Sequence, residues 1–179
     1  MQIRHYLMSN LSSMKMLFLF FTFLPLFSCS KSEVPDTDVL QPIPDIIINN
    51  VNKSVMLNLI NNVRASGCTC GTTKMPAVPK LEWNDTLSKA AYLHSVDMKT
   101  NSYFSHTGLD GRQPWDRLTS LGFKWTATGE NIAQGQQSET LVMEAWLRSE
   151  GHCMNIMDAR FRFMGAGMKD LYWTQVFAR

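Results

Sequence analysis

Two histidines and one glutamate have the types and settings that best suit chemistry. His106 lies in YFSHTGLDG and His152 in SEGHCMNIM, each near a glycine in a loop or helix-ending context, where the backbone rather than core packing selects the residue. Glu130 lies in TGENIA, between an apolar strand-like segment at residues 121–126 and a loop. A carboxylate can orient an imidazole through its N–H, and two neutral imidazoles can ligate Zn²⁺ or another divalent cation. If the fold brings them together, His106, Glu130 and His152 form a candidate catalytic cluster, with His106 and His152 as candidate metal ligands.

Each of these residues also has a structural explanation. A histidine at a helix end can cap it, and a glutamate in a turn is commonly solvated or paired with a base. The spacing is not that of an H-E-x-x-H helix, and no G-x-S-x-G motif or distinctively framed serine or cysteine provides a nucleophile. His94 lies on the apolar stripe of a predicted helix and is interpreted as a hydrogen-bonded core histidine.

The first 28 residues predict an export signal. Basic residues precede an apolar run from Met16 to Phe27 that is too short to span a bilayer. The run ends in Leu26-Phe27-Ser28-Cys29, which resembles a bacterial lipobox, so we expect Cys29 to be lipidated, for instance with palmitate, and to become the first mature residue. An ordinary cleaved signal with an incidental Cys29 is the alternative. Residues 29–50 are rich in Pro, Asp and Asn and predict a flexible tether, which places the protein on a membrane of the bacterial cell envelope, facing the periplasm or exterior.

Export favours a disulfide among the remaining cysteines, which are Cys68, Cys70 and Cys153. A ring between Cys68 and Cys70 would be strained, so we expect Cys153 to pair with one of them and to leave one free thiol. Such a bridge is worth roughly 3–5 kcal/mol by chain-entropy estimates. A zinc site built from C-x-C, the distant cysteine and a histidine is the alternative.

Composition excludes some classes of function. The 179 residues carry 17 Lys and Arg against 15 Asp and Glu, a net charge of +2, which argues against nucleic-acid binding and a polybasic membrane surface. With 45% hydrophobic and 18% charged residues, the chain predicts one ordinary globular domain plus its leader and tether.

Four helices and a C-terminal hairpin are predicted to position the candidate residues. An apolar repeat from Val51 to Val63 predicts a helix ending at Gly67, followed by a loop through residue 80. The second helix starts at Asn84 or Asp85, the third at Pro114 and the fourth after Ser138. The inward residues expected on these three helices are Leu87, Ala91, His94 and Met98, then Trp115 and Leu118, then Val142, Ala145, Trp146 and Ser149.

The period then changes to that of strands, at residues 164–168 and 171–177, with a tight turn at Lys169-Asp170. Helices followed by a hairpin, without a strand-helix-strand repeat, predict an α+β fold in which helices cover a small antiparallel sheet.

Residues 51–179 resemble the CAP superfamily, also called the SCP domain, which includes cysteine-rich secretory, venom antigen and plant pathogenesis-related proteins. The matching segments, in order, are LINNVRASG, LEWNDTLSKAAYLHSVDM, YFSHTGLDGRQPWDRLTSLGF, GENIAQGQ, AWLRSEGHCMNIM and YWTQVF. The resemblance implies an α-β-α sandwich with a central cleft.

The resemblance also implies a cleft tetrad of two histidines and two acids, of which this chain matches half. His106 corresponds to the first histidine and Glu130 to the first acid. Ser149 stands where eukaryotic members have the second acid, with Glu150 one position later, and Tyr172 stands where they have the second histidine. We expect His152 to supply the missing imidazole from another loop, with Asn155 holding that loop in shape.

Three functions are consistent with these observations. In the first, the cleft binds a divalent cation such as zinc, or a small polar ligand, with possible hydrolytic activity. In the second, the domain carries a sterol or other lipid, as members of the family that it resembles do. In the third, it is an extracellular interaction module without catalysis. Metal analysis separates the first from the others, and lipid extraction with mass spectrometry separates the second.

Overall fold

A computed structural model describes residues 49–179 of the chain. The predictions for the leader, for lipidation of Cys29 and for most of the tether lie outside the described residues. No helix in the described part is long and apolar enough to cross a membrane.

Five helices and six short strands make up this part of the chain. Their bounds are α1 (Lys53–Ser66), β1 (Cys68–Cys70), β2 (Thr73–Met75), β3 (Glu82–Trp83), α2 (Asp85–Thr100), α3 (Pro114–Ser120), β4 (Thr128–Gln134), α4 (Glu139–Arg148), α5 (Glu150–Ile156), β5 (Phe163–Lys169) and β6 (Tyr172–Ala178). The helix starts follow from side-chain caps: Asn52, Asn84 and Ser138 each accept a hydrogen bond from a backbone N–H of the helix they precede. The predicted α+β class is therefore confirmed.

The main sheet has the order β3-β5-β6-β4, which leaves β4 at one edge. β5 and β6 form the predicted antiparallel hairpin, β4 pairs antiparallel with β6, and β3 pairs parallel with β5. Asp170 and Leu171 make the hairpin turn with positive φ angles. The separate β1–β2 hairpin lies in the segment that the sequence predicted as a loop, and the parallel strand β3 follows just after that segment.

Helices cover both faces of the sheet, and β6 is therefore buried on both sides. Trp173 and Phe177 pack in a cluster with buried side chains of α1, α4 and α5, whereas Val176 and Ala178 pack with α2 and with Leu118 of α3. α2 lies directly on β5: a Cβ at Gly165 would be 2.1 Å from the Ser88 nitrogen, and one at Gly167 would be 2.2 Å from that of Tyr92. The fold is an α-β-α sandwich whose helical layers meet at the free edge of β4.

Three local predictions were wrong. Residues 121–126 form no strand, because the chain leaves α3 through Gly122 in the left-handed region and joins the sheet only at Thr128, so Glu130 lies inside β4. His152 lies in a helix, α5, which starts where Ser149 ends α4; Gly151 made this segment look like a terminus. Trp115 is 44% exposed and does not point inward.

Candidate functional site

The candidate site lies on the edge strand β4, where side chains from both helical layers converge. β4 contributes Glu130, which is paired in register with Val176 of β6. The loop after α2 contributes His106 and α3 contributes Arg117, while α5, which carries His152, contacts β4 through Asn155.

Glu130 is a buried carboxylate with both oxygens engaged. Its side chain is 2% exposed; His106 Nδ1 donates to Oε1 at 2.9 Å, and Arg117 Nη2 donates to Oε2 at 2.6 Å. Arg117 Nη2 also donates to the carbonyl oxygen of His106 at 3.0 Å. A buried carboxylate is tolerated only with such partners, so Arg117 and Glu130 together fix the position of His106.

This hydrogen bond decides which nitrogen of His106 is free. Because a carboxylate is an acceptor, Nδ1 carries the proton, and Nε2 keeps its lone pair in the neutral ring. The side chain is 48% exposed, so Nε2 is available to a ligand. His106 and Glu130 line an open groove of about 260 Å³ whose other walls include Trp115, Gln113 and Gly129.

His152 lies in α5, where it is partly buried, and it is not among the residues that line this groove. Burial lowers the pKa of His152 below its usual range, and the nearby His106 lowers this pKa further, so His152 is neutral at neutral pH. The convergence of His152 and His106 on one site stays a prediction.

Asparagine side chains tie α5 to β4. Asn155 Nδ2 donates to the Glu130 carbonyl oxygen at 3.1 Å and to Asn131 Oδ1 at 2.9 Å. Asn131 Nδ2 donates to the His152 carbonyl oxygen at 3.2 Å and to Gln175 Oε1 at 3.1 Å. The expected supporting role of Asn155 is seen here, although the segment it holds is a helix.

His94 is the core histidine that its helical position predicted. It is 1% exposed, and Nε2 donates to the Ser105 carbonyl oxygen at 2.9 Å. Burial lowers its pKa despite the opposing influence of Glu130, whose Oε1 is 3.9 Å away, so the ring is neutral and this contact is not an ion pair. Its Nδ1 has no hydrogen-bond partner among the described residues.

The two remaining tetrad positions lie away from the cluster. Tyr172 pairs with Gln134 at the opposite end of β4 from Glu130. Glu150 lies over the β1–β2 turn, since a Cβ at Gly71 would be 2.6 Å from its carboxyl carbon. Of the predicted reduced set, His106 and Glu130 are in direct contact, and the contribution of His152 stays a prediction.

The cysteines form the expected single bridge. Cys70 and Cys153 are disulfide-bonded, and Cys68 is a free thiol whose pKa is raised by burial. Within residues 49–179, these three are the only group of three or more His, Cys, Asp or Glu side chains whose ligand atoms lie close enough to hold a metal ion, all within 4.8 Å of one another. Such a site needs the bridge to be reduced, since thiolates are the ligands.

Sequence reasoning missed Arg117 and Asn131. Arg117 reaches Glu130 only through the packing of α3 against β4, which no local spacing indicates. Asn131 is fully buried in β4, and its place directly after Glu130 in GENIA was the available signal.

The chain is similar in sequence to two curated proteins. The uncharacterized protein YkwD of Bacillus subtilis is 40% identical over 99 residues, which is 54% of this chain and 38% of the relative. The uncharacterized membrane protein YlbC of the same organism is 31% identical over 132 residues, covering 74% and 36%. The chain thus spans less than two fifths of the length of these curated relatives.

Solved structures have the same fold. An extracellular protein containing an SCP domain from Bacillus anthracis is 32% identical with a TM-score of 0.66, and the match covers 74% of this chain and 41% of that one. An outer surface protein from Borrelia burgdorferi, at 22% identity and a TM-score of 0.60, shows the fold alone over 70% of this chain and 90% of that one. The model of the CAP family, the cysteine-rich secretory protein family, matches residues 57–177, and the chain belongs to that family.

Proposed function

We propose that this chain is an exported, lipid-anchored CAP-domain protein whose cleft binds a divalent cation such as zinc through His106 and His152. The observation that carries the metal proposal is the use of both Glu130 oxygens inside the protein, one on His106 and one on Arg117. A carboxylate that accepts from one imidazole nitrogen fixes the ring so that the other nitrogen can bind a metal.

This arrangement revises the role expected of Glu130. It is a positioning residue, because each of its oxygens already accepts a hydrogen bond and its side chain is only 2% exposed. His106 Nε2 and a ring nitrogen of His152 are then the protein ligands, and the lowered pKa of His152 keeps that ring neutral, as metal ligation requires. Two imidazoles fit a cation that completes its coordination with water or substrate, and we expect an affinity on the order of micromolar.

A hydrolytic role is the extension of this proposal. A bound zinc ion would supply a water that ionises near neutral pH. On the protein side, Arg117 and Glu130 hold His106 in place, and the half-exposed ring of Trp115 offers an apolar wall of the groove to a substrate.

Anchoring and export rest on the leader and on one relative. The apolar run before Cys29 supports lipidation, and the 32% identical neighbour from Bacillus anthracis is described as extracellular. A labelled fatty acid should be incorporated into the parent chain and not into Cys29→Ala, which should also leave the membrane fraction. Equal incorporation into both would exclude lipidation at Cys29.

Zinc titration calorimetry tests the metal site. The protein is residues 43–179 carrying Cys68→Ser, which removes the free thiol as a competing ligand. We expect one zinc per chain, with binding weakened at least about tenfold in both His106→Ala and His152→Ala, because each removes one ligand. Trp115→Ala is the matched control: it changes the groove without removing a ligand and should bind zinc like the parent.

Two results would contradict the metal site. They are a parent that binds no zinc, and histidine variants that bind it as tightly as the parent. Lipid extraction with mass spectrometry and a search for protein partners would then test the alternative functions.

A further inference from the structure

A free thiol lies against a disulfide bond on the side of the domain formed by β1 and α5. The Sγ atom of Cys68 is 3.6 Å from Sγ of Cys153 and 3.8 Å from Sγ of Cys70. Cys70 and Cys153 are both fully buried, with Cα atoms 5.4 Å apart. The three sulfur atoms are therefore nearly in contact without any movement of the backbone.

We infer that Cys68 is a thiol–disulfide exchange site that converts the Cys70–Cys153 bridge into a Cys68–Cys153 bridge. Side-chain rotation brings the Cys68 thiolate into line with the Cys70–Cys153 bond; it then attacks Sγ of Cys153, a new Cys68–Cys153 bond forms and the Cys70–Cys153 bond breaks. Cys70 leaves as the thiolate and takes up the proton that Cys68 lost. The step conserves the number of disulfides, so it needs neither an oxidant nor a reductant.

The position of the three residues favours this product over the other one. Cys68 and Cys70 are alternate residues of β1, so their side chains point to the same face of the strand. Alternate Cα atoms of a strand are about 6.5–7 Å apart, at the upper limit for a disulfide, so attack on Cys70 would give a strained ring. Attack on Cys153 keeps β1 linked to α5, and the fold does not have to open.

Access from solvent also favours Cys68 as the reacting residue. It is the one partly exposed sulfur of the three. It lines an open groove of about 310 Å³ between the end of α1 and Leu147 of α4. Through this exchange, a disulfide bond whose own sulfur atoms are buried is connected to a cysteine at the protein surface.

Disulfide mapping of the full chain in detergent tests the inference. The folded protein is incubated at mildly alkaline pH and then quenched in acid. It is unfolded in acidic denaturant, where exchange stops, and its free thiol is labelled there. The peptide that contains Cys29 is resolved separately. We expect label to fall at Cys68 and to appear in equal amount at Cys70 as incubation proceeds. Label that stays entirely at Cys68 at all times would overturn the inference.

A second measurement asks whether the alternative bridge fits the fold. In Cys70→Ser we expect oxidative folding to join Cys68 to Cys153, with a melting temperature within about 5 °C of the parent. The matched control, Cys68→Ser/Cys70→Ser, has no bridge and should melt on the order of 15 °C lower. If Cys70→Ser instead retains two free thiols and melts with the double variant, the alternative bridge does not form and the inference fails.

Discussion

Replacement of Glu130 by Gln should destabilise the domain strongly. Glu130 accepts from two donors, at 2.9 and 2.6 Å, with its side chain 2% exposed and that of Arg117 10% exposed. Gln keeps the shape but replaces one acceptor oxygen by an NH₂ donor, which would then face either His106 or Arg117. Arg117 would also lose its buried counterion.

The expected loss in the free energy of unfolding can be judged from other buried ion pairs. Breaking a buried pair by removing one partner typically costs about 3–5 kcal/mol, and because Gln retains one acceptor we expect the lower end, about 3 kcal/mol. For a domain of this size, that loss corresponds to a melting temperature about 10–12 °C lower. Urea unfolding followed by tryptophan fluorescence measures the change directly.

Two further variants separate a buried pair from a general effect of lost charge. Glu144→Gln is the matched control, because its pair with Arg148 is 3.6 Å long and more than half exposed on both sides, and we expect a change within about 0.5 kcal/mol. Glu130→Gln combined with Arg117→Met should cost less than the sum of the single changes, since the second change removes the unpaired charge. A loss below about 1 kcal/mol in Glu130→Gln, or strict additivity, would refute the pairing as described.

Three other predictions concern the fold. Gly165→Ala should destabilise the domain by about 1–3 kcal/mol or more, because the added Cβ would lie 2.1 Å from the Ser88 nitrogen. Gly151→Ala in α5 is the control: its added Cβ would have nothing within 4 Å, so the change should be neutral or slightly stabilising. Equal effects of the two changes in thermal melts would contradict the close packing of α2 on β5. Cys153→Ser should lower the free energy of unfolding by about 4–5 kcal/mol, because it removes a disulfide bond with a sequence separation of 83. An unchanged denaturation midpoint would contradict this. The pKa values of His94 and His152 are lowered in the folded state, so below about pH 6.5 the unfolded chain binds more protons than the folded chain. The free energy of unfolding should therefore fall as the pH drops below that value, by up to about 1.4 kcal/mol per pH unit for buried His94. Urea unfolding should show a shallower dependence of this free energy on pH in His152→Gln, and stability that rises on acidification would contradict the neutral histidines.

The sequence predicted elements whose side chains repeat with a regular period. The spacing of Leu87, Ala91, His94 and Met98 predicted both α2 and its buried face, and all four are buried. The predicted hairpin strands agree to within about one residue with β5 and β6, because β-rich residues alternate there on either side of a short turn. By contrast, α5 has only seven residues and contains Gly151, so neither period nor propensity could reveal it.

His106 and Glu130 of the candidate site could be predicted from the sequence, but their contact with each other and with Arg117 could not. His106 and Glu130 are 24 positions apart, and their contact depends on how the loop after α2 folds over β4. Arg117 completes the site from a third element, so only the packed structure identifies it. The choice of Cys70 over Cys68 as the partner of Cys153 also depends on packing, since both project from the same face of β1.

The most direct test of the central claim is a nitrogen-15 NMR spectrum of the histidine rings during a zinc titration of residues 43–179 carrying Cys68→Ser. We expect His106 to start with its proton on Nδ1, and Nε2 of His106 and one ring nitrogen of His152 to shift together and saturate at one zinc per chain. His94, buried and bonded to Ser105, is the internal reference and should not move. Signals of His106 and His152 that saturate separately, or that do not respond to zinc, would contradict convergence of the two histidines on one metal site.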